Sequence, residues 1–267
     1  MMNNYSEEAA NKIRALSLRL VHKAKASHIG SALSIADLLA VLITNDDVYW
    51  LPSPKDVNRD RLILSKGHAC VALYSALFLK GFYKEEELFS YGEDYSDFMN
   101  HASHKVPGVE FSTGALGHAL SISCGKALYA KLNNKKWHNF VILSDGELQE
   151  GSNWEAIMFA NQYKLNNLTI LIDFNNLQSL TTINNTIAIE PIDEKLQSFG
   201  WDTKIINGHD HNCIYESLKS ARNNNKPTAV ILNTIKGKGV DFMENKVAWH
   251  YKNPNDIELE KALNSIN

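Results

Sequence analysis

The stretch Ser144–Gln178, with the two apolar runs inside and just before it, narrows the possible folds more than anything else in the chain. Phe140–Leu143 (FVIL) ends in Ser144-Asp145-Gly146 and passes into residues with helical spacing that start near Glu150. Leu168–Ile172 (LTILI) then ends in Asp173-Phe174-Asn175-Asn176. This pattern predicts a strand, a tight turn, a crossover helix and a second strand. Such a crossover makes the strands parallel and brings their C-terminal ends to one edge of a sheet. Asp145 and Asn175 therefore share the edge at which open α/β sheets bind ligands. A carboxylate beside a side-chain amide is a hard oxygen site of the kind magnesium prefers, with phosphate oxygens and water completing its shell. An Asp-Gly after a strand is also a common plain turn, and these residues alone leave both readings open.

The 267 residues, 44% hydrophobic and 21% charged, suit a sizeable α/β core. A formal charge of −3 without a dense basic block gives no reason to expect nucleic acid or an anionic membrane as partner. Cys70, Cys124 and Cys213 form no C-x-x-C pair, so free thiols in a cytoplasmic protein are expected rather than a disulfide framework or a zinc site. The polar, acidic start MMNNYSEEAA is unlike a signal peptide, and no apolar run is long enough to span a membrane.

Along the chain, Ser6-Glu7-Glu8 reads as the start of a helix running to about Lys25, and a second helix is expected from about Ser34 to Ile43. Arg59 to His68 predicts a strand and a glycine turn, followed by a helix to about Lys80. Phe82 to Pro107 lacks a period and reads as a long surface connection. Thr113-Gly114-Ala115-Leu116-Gly117-His118 opens a helix through Leu132, with glycines that let backbone N–H groups approach a phosphate or pack closely. Leu196 to Asn233 predicts helix, strand (203–206), helix (213–222) and strand (229–233). Lys236-Gly237-Lys238-Gly239 reads as a flexible turn, and a short terminal helix follows Trp249-His250. No repeat, linker or composition break divides the chain, so residues 1–267 are expected to form one domain.

His28, His68, His101 and His250 lie where irregular segments meet element ends. Each by itself is more often a surface or satisfied core group than a catalyst. Their surroundings, however, resemble the transketolase family in order. ASHIGSALS is similar to its first histidine segment, with Ile29 in place of proline. RDRLILSKGHA matches at His68. HASHKVPGVEFSTGALGHALS is similar to the segment of the next histidine and the glycine-rich cofactor loop at Gly114 and Leu116, with Ala102-Ser103 in place of Pro-Glu. SDGELQEGSNWEA to FNN resembles the thiamine diphosphate signature, with Ser144 for its first glycine. TIKGKGVDFMENKVAWH ends on the last histidine, His250, followed by Tyr251 where glycine is typical.

The resemblance, from about His28 to His250, implies an α/β thiamine diphosphate-binding fold with a central, mostly parallel sheet and helices on both faces. It implies that Asp145, Asn175 and the Leu177 carbonyl hold Mg2+ (or Ca2+ or Mn2+). His68, His250, Gly114, Leu116, Gly146, Glu150 and Glu155 would surround the cofactor, the two glutamates at a subunit interface. His28 and His250 would move hydroxyl protons, and His101 would bind the donor's ketol oxygens. The pyrimidine-binding and C-terminal domains of the family have no counterpart in this chain. The expected protein is thus the diphosphate-binding subunit of a split transketolase, transferring a two-carbon ketol unit between sugars in an α2β2 heterotetramer with a chain that supplies the missing half. The alternatives are an unusual acceptor such as a keto-sugar nucleotide, a related thiamine enzyme acting on 2-oxoacids or making deoxyxylulose phosphate, and an inactive binding subunit.

Overall fold

The computed structural model describes residues 3–266. Chain order runs α1 (Asn3–Ala24), α2 (Ile29–Ser34), α3 (Ala36–Thr44), β1 (Arg61–Leu64), α4 (Cys70–Leu79), α5 (Glu85–Leu88), α6 (Ala119–Leu132), β2 (Asn139–Ser144), α7 (Gly151–Gln162), β3 (Leu168–Phe174), α8 (Ile192–Ser198), β4 (Asp202–Asn207), α9 (His211–Arg222), β5 (Thr228–Asn233) and α10 (Asp256–Ile266). The five strands form one sheet in the order β1-β2-β3-β5-β4, and every neighbouring pair is parallel. Ser144 pairs with Asp173, and Phe174 with Asn233, so the chain leaves β2, β3 and β5 at one edge.

Alternation along the strands supplies two cores. Leu62, Leu64, Phe140, Ile142, Leu171, Val230 and Leu232 pack against α1, α3, α4, α9 and α10. Their neighbours Ile63, Val141, Leu143, Ile170, Ile172, Ala229 and Ile231 pack against α6, α7 and α8. Both faces of β1, β2, β3 and β5 are covered, which is why these strands read as apolar runs, whereas the edge strand β4 stays partly exposed. Beyond this second layer, α6, α7 and the residue that ends α7 turn Tyr129, Leu132, Met158, Phe159 and Tyr163 outward, all exposed.

Several boundaries differ from expectation. Ser6 lies inside α1 rather than capping it, and its hydroxyl meets His211 Nδ1 at 2.8 Å. The second helix begins earlier and in two pieces, because His28 enters it with φ of 74° and Ile35 interrupts it. Residues 82–107 run over the surface as expected, interrupted by the short α5, but the connection is anchored. Tyr83, Leu88, Tyr91, Phe98 and Val106 are buried in the first core, and Tyr74, Tyr83 and Phe98 stack edge to face. Lys236-Gly237-Lys238-Gly239 is not free either: Lys236 is 1% exposed and Gly237 N donates to Gly30 O at 3.0 Å.

Phe140, fully buried and ringed by Tyr49 and His138, ties β2 to the larger core. Phe140→Ala is expected to lower unfolding free energy by about 3–5 kcal/mol, read from urea denaturation.

Candidate active site

The strand ends and their loops enclose a cleft of about 340 Å³ at the C-terminal edge of the sheet. His28, His68, His101 and His250 converge there from four separate segments. The His28 ring lies 5.2 Å from His68, 5.8 Å from His101 and 4.9 Å from His250, and His68 lies 5.6 Å from His250. His28 N donates to His250 O at 2.7 Å, which joins the first and last of these segments.

Opposite the histidines lies the turn after β2. Asp145 is 1% exposed; its Oδ1 accepts from Gly146 N at 2.7 Å, and its Oδ2 from Asn175 N at 3.0 Å and Asn176 N at 2.6 Å. The Asn175 Nδ2 donates to Asp173 at 3.0 Å while Oδ1 accepts from Leu177 N at 3.1 Å, so the amide's orientation is set. Gly146, Glu150, Asn175, Leu177, Gly114 and Leu116 all line the cleft. A Cβ on Gly114 would lie 3.1 Å from the His101 ring, so this glycine lets the loop reach that histidine. Glu155 is exposed on α7 and does not line the cleft.

Further residues, some of them inside the sequence motifs, organise the site without a role expected from the sequence. Lys66 Nζ is paired with Asp173 and also donates to Ser31 O at 3.1 Å. Asp173 further accepts from Ser34 Oγ at 2.7 Å and from Thr234 Oγ1. Glu147, fully buried, accepts from Ser65 Oγ and from Gly117 N at 2.8 Å, which ties the glycine loop to the end of β1. Ser144, in a position expected to carry glycine, accepts from Glu147 N through its hydroxyl at 3.3 Å and so braces the same turn. Lys236 Nζ donates to Leu177 O at 3.0 Å, Gln178 O at 3.1 Å and His250 Nδ1 at 3.0 Å. A charged residue at the end of an apolar strand is the available signal for Lys66 and Asp173; no local signal marks Lys236.

The charges follow from burial. Burial, with His101, Lys236 and Lys66 nearby, lowers His28 to about 4, and burial with Lys236 and His28 lowers His250 to about 3. His68 is pushed well below its usual value, chiefly by burial and Lys66, and His101 is lowered by burial. The four imidazoles are neutral at pH 7. Burial lowers Lys236 to about 8. Asp145 is raised to about 6 by burial and the neighbouring Asp173 charge, which leaves it short of positive charge. Burial alone would raise Asp173, but Lys66 outweighs it and holds the carboxyl below its usual range.

Residues 5–263 match the family described as transketolase, thiamine diphosphate binding domain. This chain belongs to the transketolase family. It is 39% identical to an apulose-4-phosphate transketolase subunit from Phocaeicola vulgatus over 97% of this chain and 93% of that protein. It is 36% identical to the 6-deoxy-6-sulfo-D-fructose transketolase subunit SqwG of a Clostridium species, over 91% of this chain and 90% of that one. The crystal structure of Campylobacter jejuni transketolase superposes with a TM-score of 0.94 at 31% identity, covering all of this chain but 43% of that one. The chain thus corresponds to the N-terminal subunit of split transketolases and spans less than half of the single-chain enzyme.

The residues present fit the family's cofactor. Among the described residues, the buried Nδ1 of His28 and Nε2 of Gln178 have no partner, and both residues line the cleft. Among the described residues no group of three His, Cys, Asp or Glu side chains could hold a metal. A metal would instead rest on the mixed oxygen set of the Asp145 carboxylate, Asn175 Oδ1 and Leu177 O, and a divalent cation would supply the charge Asp145 lacks.

Acid should destabilise the chain earlier than carboxylate titration would. His28, His250 and the buried His138, which burial and Arg222 lower to about 3, have native values below the unfolded value. The unfolded state therefore binds more protons below pH 6.5, and stability falls as pH drops from there toward 4. His138, fully enclosed, contributes a slope approaching about 1.4 kcal/mol per pH unit, with smaller increments from the better-solvated His28 and His250. Asp145, raised in the native state, opposes this between about 6 and 4. Urea midpoints at pH 7.5 and 5.5 should differ, and His138→Phe should reduce the difference.

Proposed function

We propose that this chain is the diphosphate-binding half of a two-chain, thiamine diphosphate- and magnesium-dependent transketolase that moves a two-carbon ketol unit from a ketose to an aldehyde acceptor in the cytoplasm. The observation that carries this reading is the convergence of four neutral histidines opposite Asp145 and Asn175 in one cleft. Asp145, Asn175 and Leu177 would hold Mg2+ against the diphosphate, with Gly114, Leu116, Gly146, His68 and His250 around it. Bound, thiamine diphosphate supplies a carbon nucleophile and an electron sink for breaking and making the bond beside a ketose carbonyl.

The residues of the chain move the protons. All three hydrogens of the Lys236 ammonium are engaged, one of them on His250 Nδ1, so His250 carries its own proton on Nε2 and gives a hydrogen bond from there, or a proton as Lys236 passes one to Nδ1. His28, uncharged, is the acceptor for a substrate hydroxyl proton. His101, at the outer rim and backed by a bond from Tyr74 Oη to its carbonyl at 2.9 Å, faces the ketol oxygens. Tyr251 lies at the mouth, its ring 4.8 Å from His250, and narrows the approach.

The exposed apolar face of α6 and α7, beside Glu150 and Glu155, supports burial against further chains. A partner bearing the pyrimidine-binding and C-terminal domains, in an α2β2 assembly, accounts for that face and for the length difference from single-chain transketolase. The names of the Phocaeicola and Clostridium relatives favour a ketose other than the common sugar phosphates as the physiological substrate.

A pull-down of the tagged chain from its native extract should recover a second polypeptide and thiamine diphosphate-dependent transketolase activity; recovery of neither overturns the reading. In the reconstituted complex, Asp145→Ala should abolish magnesium-dependent cofactor binding by calorimetry. His28→Ala or His250→Ala should instead lower kcat about 10²–10⁴-fold with a smaller effect on cofactor affinity. Retained affinity in Asp145→Ala would refute the metal assignment.

A further inference from the structure

Behind the cleft, on the side of the larger core, Asp37 of α3 gathers three basic side chains. Arg14 Nη2 lies 2.5 Å from Oδ2, His209 Nδ1 2.6 Å from Oδ2, and His211 Nε2 3.1 Å from Oδ1. The cluster is buried, with Asp37 and Arg14 each 5% exposed. Burial opposes the charge on Asp37, but its partners outweigh burial and hold the carboxyl well below its usual range. None of these side chains lines the cleft.

Two of them reach forward onto the same short segment. Ile235 N donates to His209 Nε2 at 2.8 Å. The Nε2 is therefore the unprotonated nitrogen, and the ring proton sits on Nδ1, facing Asp37. Arg14 Nε donates to Lys238 O at 3.1 Å. Asp37 thus grips the segment on either side of Lys236, once through His209 and once through Arg14. Between those grips, Lys236 sends its ammonium to Leu177 O, Gln178 O and His250 Nδ1.

We infer that Asp37 is a positioning residue for the active site: through His209 and Arg14 it holds the Ile235–Lys238 segment so that Lys236 fixes both the His250 ring and the turn at Leu177. A lysine side chain has four rotatable carbons and no preferred direction of its own. Three simultaneous hydrogen bonds from one ammonium need the backbone on both sides of it to be fixed; the Gly237 N–Gly30 O bond holds one point, and Asp37 adds the two outer grips through groups that never touch the cleft. Removing the relay frees Lys236 to leave Nδ1, and His250 then loses the bond that selects its tautomer.

The test is ¹⁵N imidazole NMR of His250 in the full chain, with no cofactor or partner added, alongside thermal melting. In the parent chain His250 should show a protonated Nε2 and a hydrogen-bonded Nδ1. His209→Phe keeps the ring volume but removes the acceptor for Ile235 N and the bond to Asp37, and should yield the mixed-tautomer pattern. His209→Gln offers both an acceptor and a donor and should restore the parent pattern; Asp37→Asn should resemble His209→Phe. If His209→Phe or Asp37→Asn lowers the melting temperature while the His250 pattern is unchanged, Asp37 is a structural residue alone and the inference fails.

A second readout, which rests on the proposed function, is thiamine diphosphate affinity in the reconstituted complex. His209→Phe should weaken it by at least about tenfold, with His209→Gln close to the parent, and equal affinities in all three overturn the inference. If the parent complex binds no cofactor, the functional proposal falls, and the NMR result still decides the role of Asp37.

Discussion

The carboxylate of Asp173 is the contact on which the active-site edge depends. It stands at the end of the central strand β3, 1% exposed, where an unpaired charge would be prohibitively costly. Lys66 from the end of β1, Ser34 from α2, Thr234 from the end of β5 and Asn175 from its own turn all bond to it. One anion thereby draws together four segments that sequence distance would scatter. It also fixes the Asn175 amide with its nitrogen turned inward, so the oxygen, which accepts from Leu177 N, keeps a second lone pair for a ligand. Loss of either member of the Lys66–Asp173 pair would leave a buried, uncompensated charge, which costs about 3–5 kcal/mol in comparable sites.

A second consequence of burial is electrical. The cleft holds four imidazoles with their charge suppressed, a lysine whose three hydrogens are committed, and an acid that lacks a counter-charge. The arrangement is unfavourable for the bare chain and favourable once a divalent cation and an anionic ligand are present. The same groups that make the site receptive make the empty chain less stable than its core would allow, a trade-off common at functional sites.

What the sequence reveals, and what it conceals, divides along local and non-local lines. The β2–α7–β3 unit is legible because its strands are short apolar runs and its turns carry polar residues at the sheet edge. Gathering the four histidines requires the family resemblance, since no period links His28 to His250. α2 escapes a periodicity search because all of Ile29–Ser34 is buried, which erases the pattern that marks a surface helix. The left-handed backbone at His28 is hidden because histidine, unlike glycine, does not advertise it. Lys236 reads as part of a mobile turn because its glycine neighbours are turn formers. Its burial depends on Gly30, Arg14 and His209, each far away in the chain. Residues 82–107 lack a period yet are anchored to the core by separate aromatic contacts, which no window along the chain detects.

The outward row of Tyr129, Leu132, Met158, Phe159 and Tyr163 bears on how a cell must make this protein. Two of its rings, Phe159 and Tyr163, pack against each other with centroids 4.4 Å apart, so the patch is already ordered and needs no folding step to become adhesive. Any copy synthesised in excess of whatever covers that surface presents it to chaperones and proteases instead. On the two-chain reading, balanced production of a covering chain would then govern how much of this protein a cell keeps.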